Sequence, residues 1–165
     1  MKKAEDKTNA IRLAEQKKIN VSIHTYSPDQ VISGMEVASV LGQNPNHVFK
    51  TLVTVGRSGM HYVFVVPVNK ELDLKKGASV VNEKSVEMVK SKELLELTGY
   101  IHGGCSPIGM KKFFKTTIDE SAKSFSTIIF SGGRIGLQME MSISDLRKLI
   151  SFTLANITQG WFSVI

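Results

Sequence analysis

The stretch Val48-Phe-Lys-Thr-Leu-Val-Thr-Val-Gly-Arg-Ser-Gly-Met-His-Tyr-Val-Phe-Val-Val-Pro-Val68 decides the fold class. Two β-branched, apolar runs, 48–55 and 61–68, flank Gly56-Arg-Ser-Gly59, so the segment reads as a β-hairpin. Side chains alternate along a strand, which puts positions 48, 50, 52 and 54 on one face and 49, 51, 53 and 55 on the other. Lys50 then falls between Val48 and Leu52 on a largely apolar face. A lysine in that position reaches for solvent, pairs with an anion or gives up its proton, because burying an unpaired ammonium is costly. Perturbed groups of this kind cluster at functional sites. Thr51, Tyr26 and Asn69 are further polar groups near the strand ends, a class usually hydrogen-bonded within the fold.

Upstream of the hairpin, 8–18 reads as a helix capped by Thr8, with Ile11, Leu13, Ala14 and Ile19 as its apolar stripe. Val21–Tyr26 alternates like a strand. A helix from about Gly34 to Leu41 stops at Gly42, and Asn44-Pro45-Asn46 prevents its continuation. Downstream, 73–98 reads as mainly helical, with Ser91 as a cap and Gly99 as a stop. Thr116–Ile118, Ser126–Phe130 and Leu137–Met141 read as strands, the last two joined by Gly132-Gly-Arg-Ile-Gly136. Ser144 is expected to cap a final helix from Asp145 to about Leu154. The apolar end, Gln159-Gly-Trp-Phe-Ser-Val-Ile165, is expected to pack back on the domain or on a partner. The expectation is one α+β domain over 1–165, its mixed or antiparallel sheet curled around a core with helices outside.

A chain of 165 residues with 42% hydrophobic and 22% charged residues has the composition of a globular domain. No apolar run approaches the roughly 20 residues of a membrane span, and the start lacks the apolar core of a signal peptide. A cytoplasmic protein without membrane contact is expected. One cysteine forms no internal disulfide and no thiolate zinc site. The formal charge of +6 favours contact with phosphates, though a solvated lysine-rich surface accounts for it equally well.

A second informative segment is Gly99-Tyr-Ile-His-Gly-Gly-Cys-Ser-Pro-Ile-Gly109, followed by Lys111-Lys112. Glycines at this density allow positive φ and close backbone approach to a ligand, and exposed N–H groups beside lysines suit an anionic or ester-bearing one. An ordinary surface turn is the alternative. A nucleophilic role for Cys105 would need a paired base, which spacing alone does not supply for His24, His47, His61 or His102. The histidines have no metal-ligand spacing, and neither a G-x-S-x-G elbow nor a P-loop occurs. No metal and no cofactor is expected. Arg134 sits in a glycine turn, where a hairpin role and a phosphate contact are equally open.

In this order, Lys7-Thr-Asn-Ala-Ile11, Val48-Phe-Lys-Thr-Leu52, Val66-Pro-Val68 with Leu72-Asp-Leu-Lys-Lys76, Thr98-Gly-Tyr100, Gly103-Gly-Cys-Ser-Pro-Ile-Gly-Met-Lys-Lys112, Ile118-Asp-Glu120 and Ser131-Gly-Gly-Arg-Ile-Gly-Leu137 resemble the YbaK/EbsC type of Cys-tRNA(Pro) deacylase. That group belongs to the superfamily of the bacterial prolyl-tRNA synthetase editing domain. The resemblance runs from about Lys7 to Ile150. It implies a curled, barrel-like mixed sheet and a free-standing enzyme that removes cysteine from mischarged tRNA. The aminoacyl-tRNA acceptor end would be its partner, with prolyl-tRNA synthetase as a second one. It also implies that Lys50 is the essential lysine. Tyr26, Thr51, Asn69, Gly103, Gly104, Ser106, Pro107, Gly109, Ser131, Gly132, Gly133 and Arg134 would then line the substrate pocket. Its chemistry is substrate-assisted, the cysteine thiolate attacking its own ester carbonyl, with glycine-loop N–H groups as candidates to hold the oxyanion. Two positions depart from the pattern: Cys105 replaces an aliphatic residue, and Gln138 stands where some members carry aspartate. A related hydrolase for alanyl- or prolyl-tRNA, or a binding module without turnover, remains an alternative.

Overall fold

The computed structural model describes residues 7–29 and 33–159, so the apolar end beyond Gln159 lies outside the described residues. Helix α1 (Asn9–Gln16) starts where Thr8 Oγ1 accepts the N–H of Ile11, as its side chain predicts. Strand β1 (Ser22–Thr25) and helix α2 (Gly34–Val40) lead to the hairpin β2 (Phe49–Gly56) and β3 (His61–Pro67). The hairpin is antiparallel, with Lys50 opposite Val66 and Leu52 opposite Phe64. Next come α3 (Leu74–Val80), capped by Asp73, then β4 (Val86–Met88) and α4 (Ser91–Thr98), which stops at Gly99 with φ of 87°. Strand β5 (Lys115–Asp119), a 3₁₀ turn, β6 (Ile128–Ser131), β7 (Leu137–Met141), α5 (Ile143–Leu149) and β8 (Thr153–Ala155) complete the order.

The result is a mixed α+β fold in which the strands form two sheets. A three-stranded antiparallel sheet runs β1-β7-β6, and a five-stranded mixed sheet runs β4-β2-β3-β5-β8, with β5 parallel to both its neighbours. Among the described residues one parallel bridge, Val48 to Ile129, joins the two sheets through the main chain, and there the Ile129 N–H donates to the His47 carbonyl at 3.1 Å.

Both faces of β2 and β3 are covered, which explains their continuous apolar runs. One face places Tyr62, Phe64 and Val66 under α3 and Ile157. The other packs Phe49, Val53, Val63 and Val65 against Phe130, Met139 and Leu146. Among the described residues no helix is long and apolar enough to cross a membrane.

Two segments differ from the sequence expectation. The stretch 73–98 contains strand β4, because Val86–Met88 finds hydrogen-bond partners on the edge of β2 at Thr54–Gly56. A three-residue strand carries too little periodicity to be seen locally. The last helix is shorter than expected: Ser142, not Ser144, caps it, and Ile150 is already extended. The chain leaves the helix there because Thr153–Ala155 adds to β5 as a parallel strand.

Candidate functional site

The alternation of backbone groups along β2 sets the site. The Val68 N–H donates to the Val48 carbonyl, so even-numbered residues of β2 turn their main-chain groups toward β3. Odd-numbered residues face the opposite edge, where the Val53 carbonyl accepts the Val89 N–H at 3.1 Å and the His47 carbonyl accepts Ile129. Strand β6 thus covers this edge near residue 47, and β4 covers it from residue 53 onward. Between them the edge is open, and a cavity of about 930 Å³ occupies the gap. Because the cavity runs along an edge, it is lined by successive residues of β2, Phe49 to Val53, instead of alternate ones.

Lys50 lines this cavity, with its Nζ 3.9 Å from Glu71 Oε2. Glu71 is mostly in solvent, so the pair is screened and weak, and the lysine charge stays available to an anionic ligand. The sequence left three fates open for Lys50; it lies half-buried beside an exposed carboxylate. Thr51, Tyr26, Gly103 and Ser131 line the same cavity. They come from β2, the segment after β1, the glycine loop and the end of β6, which only the tertiary fold brings together.

The other expected site residues do not line it. Ser106 is fully buried, and its Oγ accepts the Ile108 N–H. Pro107 is buried beside Ile108, whose carbonyl accepts the Tyr100 hydroxyl at 2.6 Å. Gly109, at φ +80°, packs against Tyr100 and Asn9. A Cβ on Gly104 would lie 2.9 Å from Arg134 Cα, so the two glycine loops are in backbone contact. Gly132 and Gly133 hold the second loop in place, with Gly133 at φ +109° against Thr8 and Tyr100. Asn69 donates to Asn46 Oδ1 at 2.8 Å, outside the cavity.

The glycine loops also engage main-chain donors that are candidates to hold an oxyanion. The N–H of Gly104 donates to the Ile101 carbonyl, that of Gly132 to Leu137, and that of Gly133 to Ser131 Oγ.

Sequence reasoning did not place Gln138, His102, Met35, Met88 or Ile135 at the cavity, yet all five line it. The side chains of Met35, Met88 and Ile135 are exposed at its rim. Only Gln138 had a signal, its departure from the family pattern. Cys105 also lines the cavity, but burial pushes its thiol up to about 11, so it is neutral near pH 7 and unsuited to nucleophilic attack. Among the described residues no group of three or more histidine, cysteine or carboxylate side chains is arranged to hold a metal ion.

The model of the aminoacyl-tRNA editing domain matches residues 30–149, which include the whole of β2 and both glycine loops. The chain belongs to this family. Over 158 residues, 95% of the chain, this editing domain is 44% identical to an Enterococcus faecalis protein provisionally named the Cys-tRNA(Pro)/Cys-tRNA(Cys) deacylase EbsC, of which 96% is covered. It is 28% identical over 132 residues to the proline–tRNA ligase of Fervidobacterium nodosum, covering 76% of the chain but 22% of the ligase. The editing domain also shares its fold with a solved structure provisionally described as a trans-editing enzyme for prolyl-tRNA synthetase. That match has a TM-score of 0.79 at 23% identity, covering 92% of this chain and 98% of the other. A second solved structure, hypothetical protein APE2540, superposes with a TM-score of 0.82 at 21% identity over 92% of this chain and 100% of the other.

Proposed function

We propose that the protein is a free-standing aminoacyl-tRNA deacylase that removes cysteine from Cys-tRNA(Pro). The observation that carries this reading is a cavity on an open strand edge with a lysine in its lining, in a chain 44% identical to EbsC over nearly its full length. An aminoacyl ester is already activated, so the site needs to orient it and stabilise charge more than it needs a protein nucleophile. The substrate's thiolate attacks its own carbonyl. A C–S bond forms, the ester C–O bond breaks, and the ribose oxygen departs and takes up a proton. The cyclic thioester then hydrolyses in water.

Lys50 holds the terminal phosphate or ribose as a point charge, and Tyr26, Thr51, Gly103 and Ser131 contact the aminoacyl-adenosine. Asn69, Gly104, Ser106, Pro107, Gly109, Gly132, Gly133 and Arg134 support that surface, Arg134 within reach of the acceptor strand. The reading includes a single domain over 1–165, a barrel-like curl of the two sheets around the cavity, and a place in the cytoplasm. The bridge from Val48 to Ile129 supports the curl. A domain with a charge of +6 binds the acceptor end with strong salt dependence and relies on prolyl-tRNA synthetase to select the tRNA.

The test is deacylation of Cys-tRNA(Pro) and Ala-tRNA(Pro) by the wild type and Lys50→Ala, side by side. Loss of cysteine alone, abolished in Lys50→Ala without a change in fold, is the expected result. Release of both aminoacyl groups would replace the thiol mechanism by attack of water, and release of neither would leave a binding module.

A further inference from the structure

Thr51 occupies the middle of the gap in the β2 edge. Its main-chain groups face the same way as those of Val53, toward the cavity. The register of β4 begins at Thr54, and the bridge to β6 ends at Val48, so among the described residues no strand pairs with Thr51 on this side. One residue's N–H and C=O therefore point together into the cavity.

In a hydrogen-bonded antiparallel pair, two opposite residues exchange both main-chain bonds. An aminoacyl ester carries the same two groups, an amine and a carbonyl oxygen, on adjacent atoms of one amino acid. We propose that Thr51 receives the aminoacyl group as a strand one residue long, an extreme case of recognition by strand addition. This rests on the editing reading above. The Thr51 N–H donates to the ester carbonyl oxygen, and the substrate ammonium donates to the Thr51 carbonyl. When the carbonyl is attacked, its oxygen becomes an anion held by a donor that is already fixed in place.

The pairing also assigns the substrate's two ends. Side chains of opposed residues lie on the same face, so the cysteine side chain falls on the face shared by Phe49, Thr51 and Val53. Leu94, Cys105 and Phe130 line the cavity too and belong to the same apolar cluster as Phe49 and Val53, so the side chain meets a largely apolar wall there. Lys50 projects from the other face, toward the ribose and phosphate. The engaged donors of Gly104, Gly132 and Gly133 strengthen this assignment, since those loops have fewer N–H groups to offer.

The experiment replaces Thr51 by its α-hydroxy acid, which converts the amide N–H into an ester oxygen and keeps the side chain. Cys-tRNA(Pro) turnover and the melting midpoint are read for this chain, the wild type and a chain with the same exchange at Thr54, whose N–H faces β3. The Thr51 exchange is expected to lower kcat about 10²-fold with a near-wild-type melting midpoint, because its N–H has no strand partner to lose. The Thr54 exchange is expected to lower the midpoint. tRNA carrying 3-mercaptopropionate, which keeps the thiol but lacks the α-amine, is expected to show a raised KM. Wild-type turnover after the Thr51 exchange, or a midpoint falling as far as with Thr54, overturns the proposal. If the wild type deacylates no aminoacyl-tRNA, the editing reading fails first and takes this proposal with it.

Discussion

Gln43 and Gln138, 95 residues apart, face each other amide to amide, with Gln43 Nε2 donating to Gln138 Oε1 at 2.8 Å and Gln138 Nε2 returning the bond at 3.2 Å. Gln138 is nearly fully buried and lines the cavity, while Gln43 follows the end of α2. The pair ties the helix to β7 and fixes which amide atoms Gln138 can present to the cavity. Gln43→Ala leaves a buried amide short of a partner, at a cost of about 1–3 kcal/mol. A double-mutant cycle with Gln138→Leu measured by urea unfolding checks this. Additive losses would show that the two amides do not support each other.

The contact between the glycine loops gives a second prediction. Alanine at Gly104 drives a methyl group onto the Arg134 backbone, which has no side-chain rotamer with which to yield. Gly104→Ala is expected to cost about 1–3 kcal/mol, and for a chain of this size Tm falls by about 2–4 °C per kcal/mol. An unchanged Tm would mean the loops part freely.

Glu140 is expected to contribute to the acid limb of stability. Burial pushes its carboxyl up, but hydrogen bonds from Thr127 and His24, with the charges of His24 and His47, outweigh it and hold the group below its ordinary value. A carboxylate lowered in this way stabilises the fold at pH above its unfolded value of about 4.3, and that contribution disappears as pH falls through the lower folded value. Melting curves from pH 7 to pH 3 should therefore show a steeper acid loss for the wild type than for Glu140→Gln. Parallel curves would remove Glu140 as the cause.

Cys105 should react slowly although it borders the cavity. With its thiol pushed up to about 11 by burial, alkylation by iodoacetamide at pH 8 is expected to be about 10²-fold slower in the native protein than after unfolding. Rapid native alkylation would reopen the nucleophile reading.

Much of this fold is legible locally. The hairpin follows from two apolar runs around a glycine turn, and Thr8 and Gly99 mark helix ends by capping chemistry that acts within a few residues. The family motifs contain Lys50, Thr51, Gly103 and Ser131, and the fold gathers these four with Tyr26 at one cavity. The same motifs contain Gly104, Ser106, Pro107 and Gly109, which are absent from that cavity's lining; Gly104 meets the Arg134 backbone, and Ser106 Oγ accepts the Ile108 N–H.

The sequence by itself determined the β2–β3 hairpin, the cap that begins α1 and the glycine that ends α4, which face of β2 carries the lysine, and the family to which the chain belongs. Those properties depend on side-chain periodicity, capping and short motifs. Tertiary structure alone decided that β4 and β8 are strands, that Gln43 meets Gln138, and that the edge of β2 stays open at Thr51. A main-chain N–H looks the same in every residue, and only the placement of neighbouring strands settles whether it is paired.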